Sequence, residues 1–271
     1  MRDLPILFSA PMVRAILREI EQPGTGKTQT RRVIDFSGIE KVTRFAPVAT
    51  DLKGRRIYEM KGGAGQFLTR PAGKNSAEYH FWPKYAVGDR LWVRERATRF
   101  DKGTCDQHVW FTAGRNEIYP WLAEHFPGLD PDAPWPHPEG PGGGAPYSIP
   151  SNHMPRWASR ITLIVTDVRV QRLQEISEAD ALAEGVPTGD DYAGSFAKEY
   201  CHHCGGSGVH GAFGAGYGVT EVDCAECATA IQRFRNLWDS LNAKRAPWES
   251  NPWVAAYTFR PILGNIDQVR P

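Results

Sequence analysis

Four cysteines in two pairs carry the most specific chemistry of this 271-residue chain. They are Cys201 and Cys204, followed by Cys224 and Cys227. Two Cys-x-x-Cys pairs a short distance apart can present four thiolates tetrahedrally, which is the arrangement that structural zinc prefers. The glycine-rich segment between the pairs cannot bury a core, so it needs a metal to hold its shape. The spacing predicts a structural Zn²⁺ in an insert over residues 198–228.

Two other interpretations of these cysteines stay open at this point. The four could form two disulfides or remain free thiols, although nothing marks the chain for secretion and cytosolic thiols stay reduced. His202 and His203 lie inside the first pair, where either could replace a cysteine ligand. Cys105 is unpaired in this pattern and receives no assignment.

A polar segment, Gly26–Arg32, comes directly before the apolar pair Val33–Ile34. The pattern predicts a loop that enters a strand, a common location for functional side chains such as Lys27 and Thr30. A solvated turn is the alternative. The segment is not a nucleotide-triphosphate loop, because no glycine stands five residues before Gly26 and because the segment follows a predicted helix.

Glu184 occupies a costly position in a predicted short helix that begins at Ser177 and closes at Gly185. In the last turn of a helix the macrodipole disfavours a carboxylate by roughly 0.3–1 kcal/mol. A basic partner from elsewhere in the fold would offset this cost. The alternative is an exposed glutamate that tolerates a small penalty.

Composition limits the classes of partner. A hydrophobic fraction of 41% and a charged fraction of 23% are ordinary for a globular protein. The net charge of +1 excludes a global attraction to nucleic acid, but arginine outnumbers lysine by 23 to 9. Arginine suits phosphate groups and stacks on bases, so its clusters indicate either solvated faces or a groove for an anionic partner.

The chain has no apolar run of the roughly 18 residues that a membrane helix requires. The first twelve residues hold one short apolar run and no cleavage site, unlike a secretion signal. We therefore expect a cytoplasmic protein with no membrane partner.

The remaining patterns alternate irregularly between strands and short helices, which favours an α+β fold around a small barrel. A Pro/Gly-rich stretch over 126–150 predicts a long surface loop. Strands are predicted at 5–9, 91–95 and 254–261, with one long strand or a hairpin at 161–170, and helices are predicted from Ser9 to Pro23, at 177–185 and at 228–242.

Several blocks of the sequence resemble one family in their order along the chain. They are Pro11–Leu17 with Gly26–Arg32, then Gly88–Glu95, then Leu173–Asp180 with Glu184–Gly185, and finally Asn251–Phe259. Together they resemble ASCH domains of the PUA-like superfamily, and most closely the long ASCH proteins of tailed phages and prophages. The resemblance implies one domain over 1–271, a small β-barrel with flanking short helices, and inserts at 99–150 and 198–228. A phage-encoded protein would act in the host cytoplasm.

One short ASCH branch is an amidohydrolase that removes the acetyl group from acetylcytidine with a lysine, a threonine and a glutamate. The resemblance carries these three roles to Lys27, Thr30 and Glu184. In acyl-amide hydrolysis Thr30 would attack the carbonyl and Lys27 would take the threonine proton. Glu184 would then donate a proton to the departing exocyclic amine.

A substrate base would be held by residues near these blocks. The candidates are Arg31, Arg32, Trp92, Arg94 and Glu95, with Tyr85 as a second stacking candidate. The alternative for Glu95 is a structural pair with Arg94 or Arg96. Two further functions stay open. One is a non-catalytic module that binds a modified nucleoside or a nucleic acid, RNA in preference to DNA. The other is a metal-independent ribonuclease.

Overall fold

The computed structural model describes residues 1–34, 42, 44–50, 56–61, 68–69, 75–76, 78–101, 107–111, 147–186, 201, 203–204, 209–213 and 219–269. Within them, three α-helices span Ala10–Glu21 (α1), Glu178–Ala183 (α2) and Ala230–Asn242 (α3). The strands are Asp3–Leu7 (β1), Gln29–Val33 (β2), Arg44–Thr50 (β3), Arg56–Lys61 (β4), Leu68–Thr69 (β5), Asn75–Ser76 (β6), Glu78–Phe81 (β7), Arg90–Arg94 (β8), Ala97–Asp101 (β9), Gln107–Phe111 (β10), Tyr147–Ile149 (β11), Ile161–Arg172 (β12), Val209–Phe213 (β13), Val219–Asp223 (β14) and Trp253–Leu263 (β15).

A five-stranded mixed sheet contains the longest strands, in the order β1-β8-β12-β15-β2. Strand β1 runs parallel to β8, and β15 runs antiparallel to β2. Strand β12 buries Ile161, Leu163, Val165 and Val168 almost completely, and β15 buries a run of apolar residues from Val254. Runs of this kind are typical of strands covered on both faces.

The prediction of an α+β protein with short helices is confirmed in this coarse form, since helices and strands are mixed around one five-stranded sheet. The finer expectation of a closed barrel is not met among the described residues. There the sheet ends at β1 on one side and at β2 on the other, and these two edge strands do not pair.

By their contacts the described residues fall into two compact units. The first unit comprises those within Met1, Gly24–Asp89 and Ile164–Arg260, and the second comprises those within Arg2–Pro23, Arg90–Leu163 and Pro261–Pro271. Most of the proposed 99–150 insert lies outside the described residues, which include only 99–101, 107–111 and 147–150 of it. The single-domain organisation over 1–271 stays a prediction.

The prediction that Gly26–Arg32 is a loop is wrong for its second half. Strand β2 begins at Gln29, four residues before the apolar pair that was expected to mark it. A hydrophobicity pattern does not detect this strand, because the side chains that it buries are polar, namely Gln29, Thr30 and Arg31. The 161–170 segment is one continuous strand, β12, and not a hairpin.

Candidate functional site

Backbone hydrogen bonds hold the segment before β2 against the end of helix α2. The amide of Thr28 donates to the carbonyl of Ala183 at 2.9 Å, and the Thr28 carbonyl accepts from the amide of Phe259 in β15 at 2.8 Å. Helix α2 begins at its cap Ser177, whose hydroxyl accepts from the Asp180 amide. The helix does not continue beyond its C-cap residue Glu184, because Gly185 adopts a left-handed backbone conformation with φ of 84°. This docking brings Lys27 next to the end of the helix.

Lys27 and Glu184 form a buried pair at this junction. Lys27 Nζ donates to Glu184 Oε2 at 2.7 Å and to the Glu184 backbone oxygen at 2.6 Å. The two side chains are only 2% and 5% exposed. One ammonium group therefore satisfies a terminal carbonyl of the helix and neutralises the carboxylate that the helix dipole disfavours. The basic partner predicted for Glu184 is present, and the alternative of an exposed glutamate is wrong.

Burial changes the pKa of Lys27 in this pair. Desolvation lowers the pKa of Lys27 from its ordinary value of 10.5, and the charges of Arg32 and Arg31 lower it further. The charge and hydrogen bond of Glu184 oppose this shift. A lysine with a depressed pKa is the kind of amine that can serve as a general base near neutral pH.

Arg31 joins the pair from the face of β2 that contacts Asp180 and Glu184. Its Nη1 donates to Glu184 Oε1 at 2.9 Å and to Gln29 Oε1, and its Nη2 donates to Asp180 Oδ2 at 3.0 Å. The arginine side chain is completely inaccessible, and its guanidinium carbon lies 5.7 Å from the centre of the Phe234 ring in α3. The contact of Arg31 with a substrate stays a prediction, and both of its terminal nitrogens donate to protein oxygens.

Asp180 completes a network that the sequence did not reveal. Its Oδ1 accepts from Gln29 Nε2 at 3.2 Å and from Arg169 Nη2 at 3.0 Å. Burial opposes ionisation, but the hydrogen bonds from Arg169 and Gln29 and the nearby positive charges hold the pKa of Asp180 below its ordinary value. The sequence offered Asp180 only as a residue of the helix start; its spacing of four from Glu184 was the available signal.

Thr30 and Arg32 lie on the other face of β2, since successive side chains of a strand alternate. Thr30 is buried and is paired in register with Tyr257 of β15. Between described residues, no hydrogen bond joins Thr30 to Lys27 or Glu184. Arg32 is exposed to solvent. Although part of the residue is exposed, the protein around it lowers the pKa of Arg32 by desolvation, and electrostatic interactions with Tyr85, Glu184 and Tyr257 oppose this.

Two buried tyrosines lie near Arg32. The rings of Tyr85 and Tyr257 meet edge to face, with centres 5.0 Å apart. The Tyr257 hydroxyl accepts from the Lys84 amide at 3.1 Å. Burial raises the pKa of both phenols, to about 12 for Tyr257, so both are neutral donors near pH 7.

The predicted substrate residues of β8 and the residue after it belong to the second unit. Trp92 is buried, and the Arg94 guanidinium lies 4.9 Å from the centre of its ring. Glu95 accepts two hydrogen bonds from Arg160, at 2.9 and 3.2 Å. Sequence reasoning considered only Arg94 and Arg96 as partners for Glu95, so it missed this bidentate pair between residues 65 positions apart.

Removing the carboxylate of this second pair should destabilise the protein. Glu95 is 1% exposed, and its partner's side chain is 18% exposed. We expect Glu95→Ala to lower the free energy of unfolding by about 3 kcal/mol, because Arg160 loses its buried counter-charge. Urea unfolding followed by tryptophan fluorescence measures the change. Asp267→Ala is the matched control, since it removes an exposed partner of Arg156 and should have little effect; equal losses in the two variants would contradict the prediction.

The four predicted cysteine ligands lie together in the first unit. The sulfur atoms of Cys201, Cys204, Cys224 and Cys227 are all within 4.8 Å of one another. The sulfur atoms of Cys204 and Cys227 are 3.1 Å apart and those of Cys201 and Cys224 are 3.8 Å apart, too far for disulfides, and all four cysteines are free. A tetrahedral thiolate site with metal–sulfur bonds of about 2.3 Å has sulfur–sulfur edges of about 3.8 Å. The cluster can therefore hold a metal ion, and the disulfide alternative is wrong.

The surroundings of the cluster suit a buried metal. Cys201, Cys224 and Cys227 are nearly inaccessible. Burial raises the pKa of the Cys224 and Cys227 thiols, so without a metal these two groups stay protonated at neutral pH. His203, which was considered as a substitute ligand, is exposed. His202 and Cys105 lie outside the described residues.

Helix α3 is attached directly to the second cysteine pair. The side chains of Gln232, Arg233 and Asn236 donate to the carbonyls of Ala225, Ala228 and Glu226. The Ala230 amide at the start of α3 donates to Glu178 Oε2 in α2 at 2.8 Å. The cysteine cluster is thus connected through α3 to the helix that carries Asp180 and Glu184.

Within the described part of the chain, no helix combines the length and apolar character needed to cross a bilayer. Comparisons of the sequence with protein-family models and with curated proteins, and of the structure with solved structures, found no match.

Proposed function

We propose that this chain is an ASCH-type protein of the PUA-like superfamily that binds a nucleoside or nucleic-acid base and removes an acyl group from the exocyclic amine of cytidine. The observation that carries the proposal is the buried Lys27–Glu184 pair. A fully buried amine with a depressed pKa costs stability unless it is compensated, and such groups cluster at functional sites.

The 2.7 Å hydrogen bond between Lys27 Nζ and Glu184 Oε2 supplies a path for one proton. Transfer of the proton along it gives a neutral amine and a neutral carboxylic acid, the form that the proposed reaction uses. The amine then accepts the hydroxyl proton of Thr30 as Thr30 Oγ1 bonds to the acyl carbon. Glu184 donates its proton to the cytidine nitrogen as the carbon–nitrogen bond breaks.

These steps leave an acyl ester on Thr30, a protonated Lys27 and an ionised Glu184. Proton transfer within the pair regenerates the base for the second half of the reaction. Water then attacks the ester carbon, Lys27 takes the water proton, and Glu184 protonates the departing Thr30 oxygen. The products are the free carboxylic acid and the unmodified threonine.

The position of the pair supports access to Thr30 even though Thr30 faces away from Arg31. Strand β2 is an edge strand of the sheet. Glu184 bonds to Arg31 on one face of this strand and interacts electrostatically with Arg32 on the other. Its carboxyl group is therefore within electrostatic range of the face that Thr30 and Arg32 share. On that face lies Arg32, whose guanidinium is of the kind that binds phosphate and stacks on bases.

A second candidate function is a non-catalytic reader of a modified base. The specific observation in its favour is that Lys27 and Arg31 both bond to Glu184, because two cations stabilise the ionised carboxylate and oppose its role as an acid. In a reader the same groups would accept and donate hydrogen bonds at the edge of a base, as in single-stranded RNA recognition.

Incubation of the purified protein with N4-acetylcytidine tests the proposal, with acetate and cytidine measured by chromatography. We expect turnover by the wild type and a loss of more than about a thousandfold in kcat for Thr30→Val, which lacks the nucleophile. Thr28→Val, the same change two residues earlier, is the control and should retain activity. Binding of a labelled RNA without turnover would instead favour the reader, and cleavage of that RNA would favour the ribonuclease.

For the cysteine cluster we propose Zn²⁺ as the metal. Four cysteines form the usual ligand set of structural zinc and leave no coordination position open for a reactant. The ion would stabilise the insert and the start of α3, and it takes no part in the reaction described above.

A further inference from the structure

We infer that Arg31, held in place by Asp180, is a positioning residue that divides the Glu184 carboxylate into one oxygen fixed by protein and one oxygen reserved for Lys27. The inference rests on the proposed function and assigns two residues, Arg31 and Asp180, to the operation of its site. Neither is required to touch the substrate.

Arg31 has the contacts of a positioning group. Its side chain is completely inaccessible, in contrast to the exposed Arg32 next to it. Both terminal nitrogens donate to protein oxygens, those of Gln29, Glu184 and Asp180. Its buried Nε has no partner among the described residues. A group this enclosed acts through the residues that it holds.

The planar guanidinium bridges two carboxylates that are one helical turn apart. Asp180 and Glu184 are separated by four residues in the sequence, so their side chains emerge on the same side of α2. Arg31 Nη2 bonds to Asp180 at 3.0 Å, and Nη1 bonds to Glu184 at 2.9 Å. A planar fork fixes the position and the orientation of both acceptors, which a lysine could not do. The turn of helix that carries Glu184 is thereby locked to β2.

The consequence for Glu184 is a division of its two oxygens. Oε1 accepts from Arg31, and Oε2 accepts from Lys27 at 2.7 Å. Because Lys27 Nζ also bonds to the Glu184 backbone oxygen, the amine and Oε2 are aligned by two contacts. Proton exchange in the proposed reaction is therefore confined to Oε2.

Asp180 balances the charges around the pair. Lys27 is faced by Glu184 from α2 and by Arg31 and Arg32 from β2. Asp180 offsets the charge of Arg31 and also binds Arg169 of β12. When the Asp180 charge is removed, the positive potential of Arg31 at Lys27 increases, and protonated Lys27 becomes less stable. Loss of Asp180 should therefore change the titration of Lys27 without any direct contact between the two.

Asp180→Asn tests this inference, with Glu178→Gln as the matched control. Glu178 is an exposed carboxylate on the same helix that bonds to the Ala230 amide and not to Arg31. The side-chain signal of Lys27, measured by NMR with ¹³C-labelled lysine and assigned by Lys27→Arg, reports its titration. Acetylcytidine hydrolysis provides kcat and KM, and thermal melting verifies that both variants are folded.

We expect Asp180→Asn to move the Lys27 titration to lower pH and to reduce kcat about tenfold to a hundredfold with little change in KM, because the reacting groups lose their alignment. Glu178→Gln should match the wild type in all three quantities. An Asp180→Asn protein in which Lys27 titrates as in Glu178→Gln overturns the inference. If the wild type has no turnover, the proposed function fails, and the Lys27 titration alone still decides whether Asp180 acts on the pair.

Discussion

Lys27→Arg is expected to reduce acylcytidine hydrolysis by about a thousandfold or more while leaving a folded protein. Arginine keeps the positive charge and the donors toward Glu184, so the ion pair persists. Its guanidinium does not lose a proton in the accessible pH range, so it cannot accept one from Thr30. The substitution separates the role of Lys27 as a base from its role as a buried charge.

Lys27→Met provides the complementary comparison. It removes the charge as well as the base, and it deprives a buried carboxylate of one of its two cationic partners. We expect a similar loss of activity together with a loss of roughly 3 kcal/mol in the free energy of unfolding. Lys84→Arg changes an exposed lysine of the first unit and should alter neither quantity.

The pH dependence follows from the direction of the Lys27 shift. Desolvation lowers the pKa of Lys27, so its neutral form appears below the ordinary value of 10.5. The proposed reaction needs one proton on the Lys27–Glu184 pair, because Glu184 must donate it to the leaving amine. The wild-type rate should therefore fall as rising pH removes this proton, and the fall should begin below pH 10.5. Hydrolysis by Lys27→Arg at the wild-type rate, or a wild-type rate that stays level through pH 10.5, would contradict a role for Lys27 as the base.

The Lys27–Glu184 pair illustrates what the sequence can predict about the site. A carboxylate at the end of a helix has an electrostatic cost that is visible in the sequence, and this cost predicts a basic partner. The order of the ASCH-like blocks singled out Lys27 for the same site. The two lie 157 residues apart, and the structure joins them through the docking of Thr28 between α2 and β15.

The buried contacts of Arg31 and Asp180 could not be predicted in the same way. Arg31 reads as an exposed anion-binding residue when Gln29–Arg32 is taken as a loop. Only the pairing of β2 with β15 gives that segment its two faces, and that pairing is a long-range contact that no local pattern encodes. Arg31 and Arg32 lie on opposite faces of this strand, and Arg31 is buried while Arg32 is exposed.

Long strand β12 has a related explanation. Asp167 and Arg169 interrupt its apolar pattern, which left a hairpin as an alternative. In the structure Asp167 forms ion pairs with Arg56 and Arg169, and Arg169 also bonds to Asp180. The polar positions are stabilised by partners from other parts of the sequence, so the strand continues through them.

Loss of the metal should have the largest effect on stability. We expect about one zinc ion per chain by elemental analysis, and we expect Cys224→Ser to lose it. Structural zinc sites in small domains contribute on the order of 10 kcal/mol of binding free energy, which is also folding free energy. Without the ion the two cysteine pairs lose the bonds that join them, so the melting temperature should fall strongly and the wild type should melt at a higher temperature when zinc is added.

The effect should extend beyond the insert, because α3 is attached to the cysteine pair through the side chains of Gln232, Arg233 and Asn236. Amide hydrogen exchange in Ala230–Asn242 should be faster in Cys224→Ser. Through the contact of Phe234 with Arg31, the same variant should also lose part of its hydrolytic activity. Cys105→Ser is the control that retains zinc, stability and exchange protection. A metal-free Cys224→Ser protein with the wild-type melting temperature and a protected α3 would mean that the cysteine cluster does not support this helix, and that the insert is independent of the site.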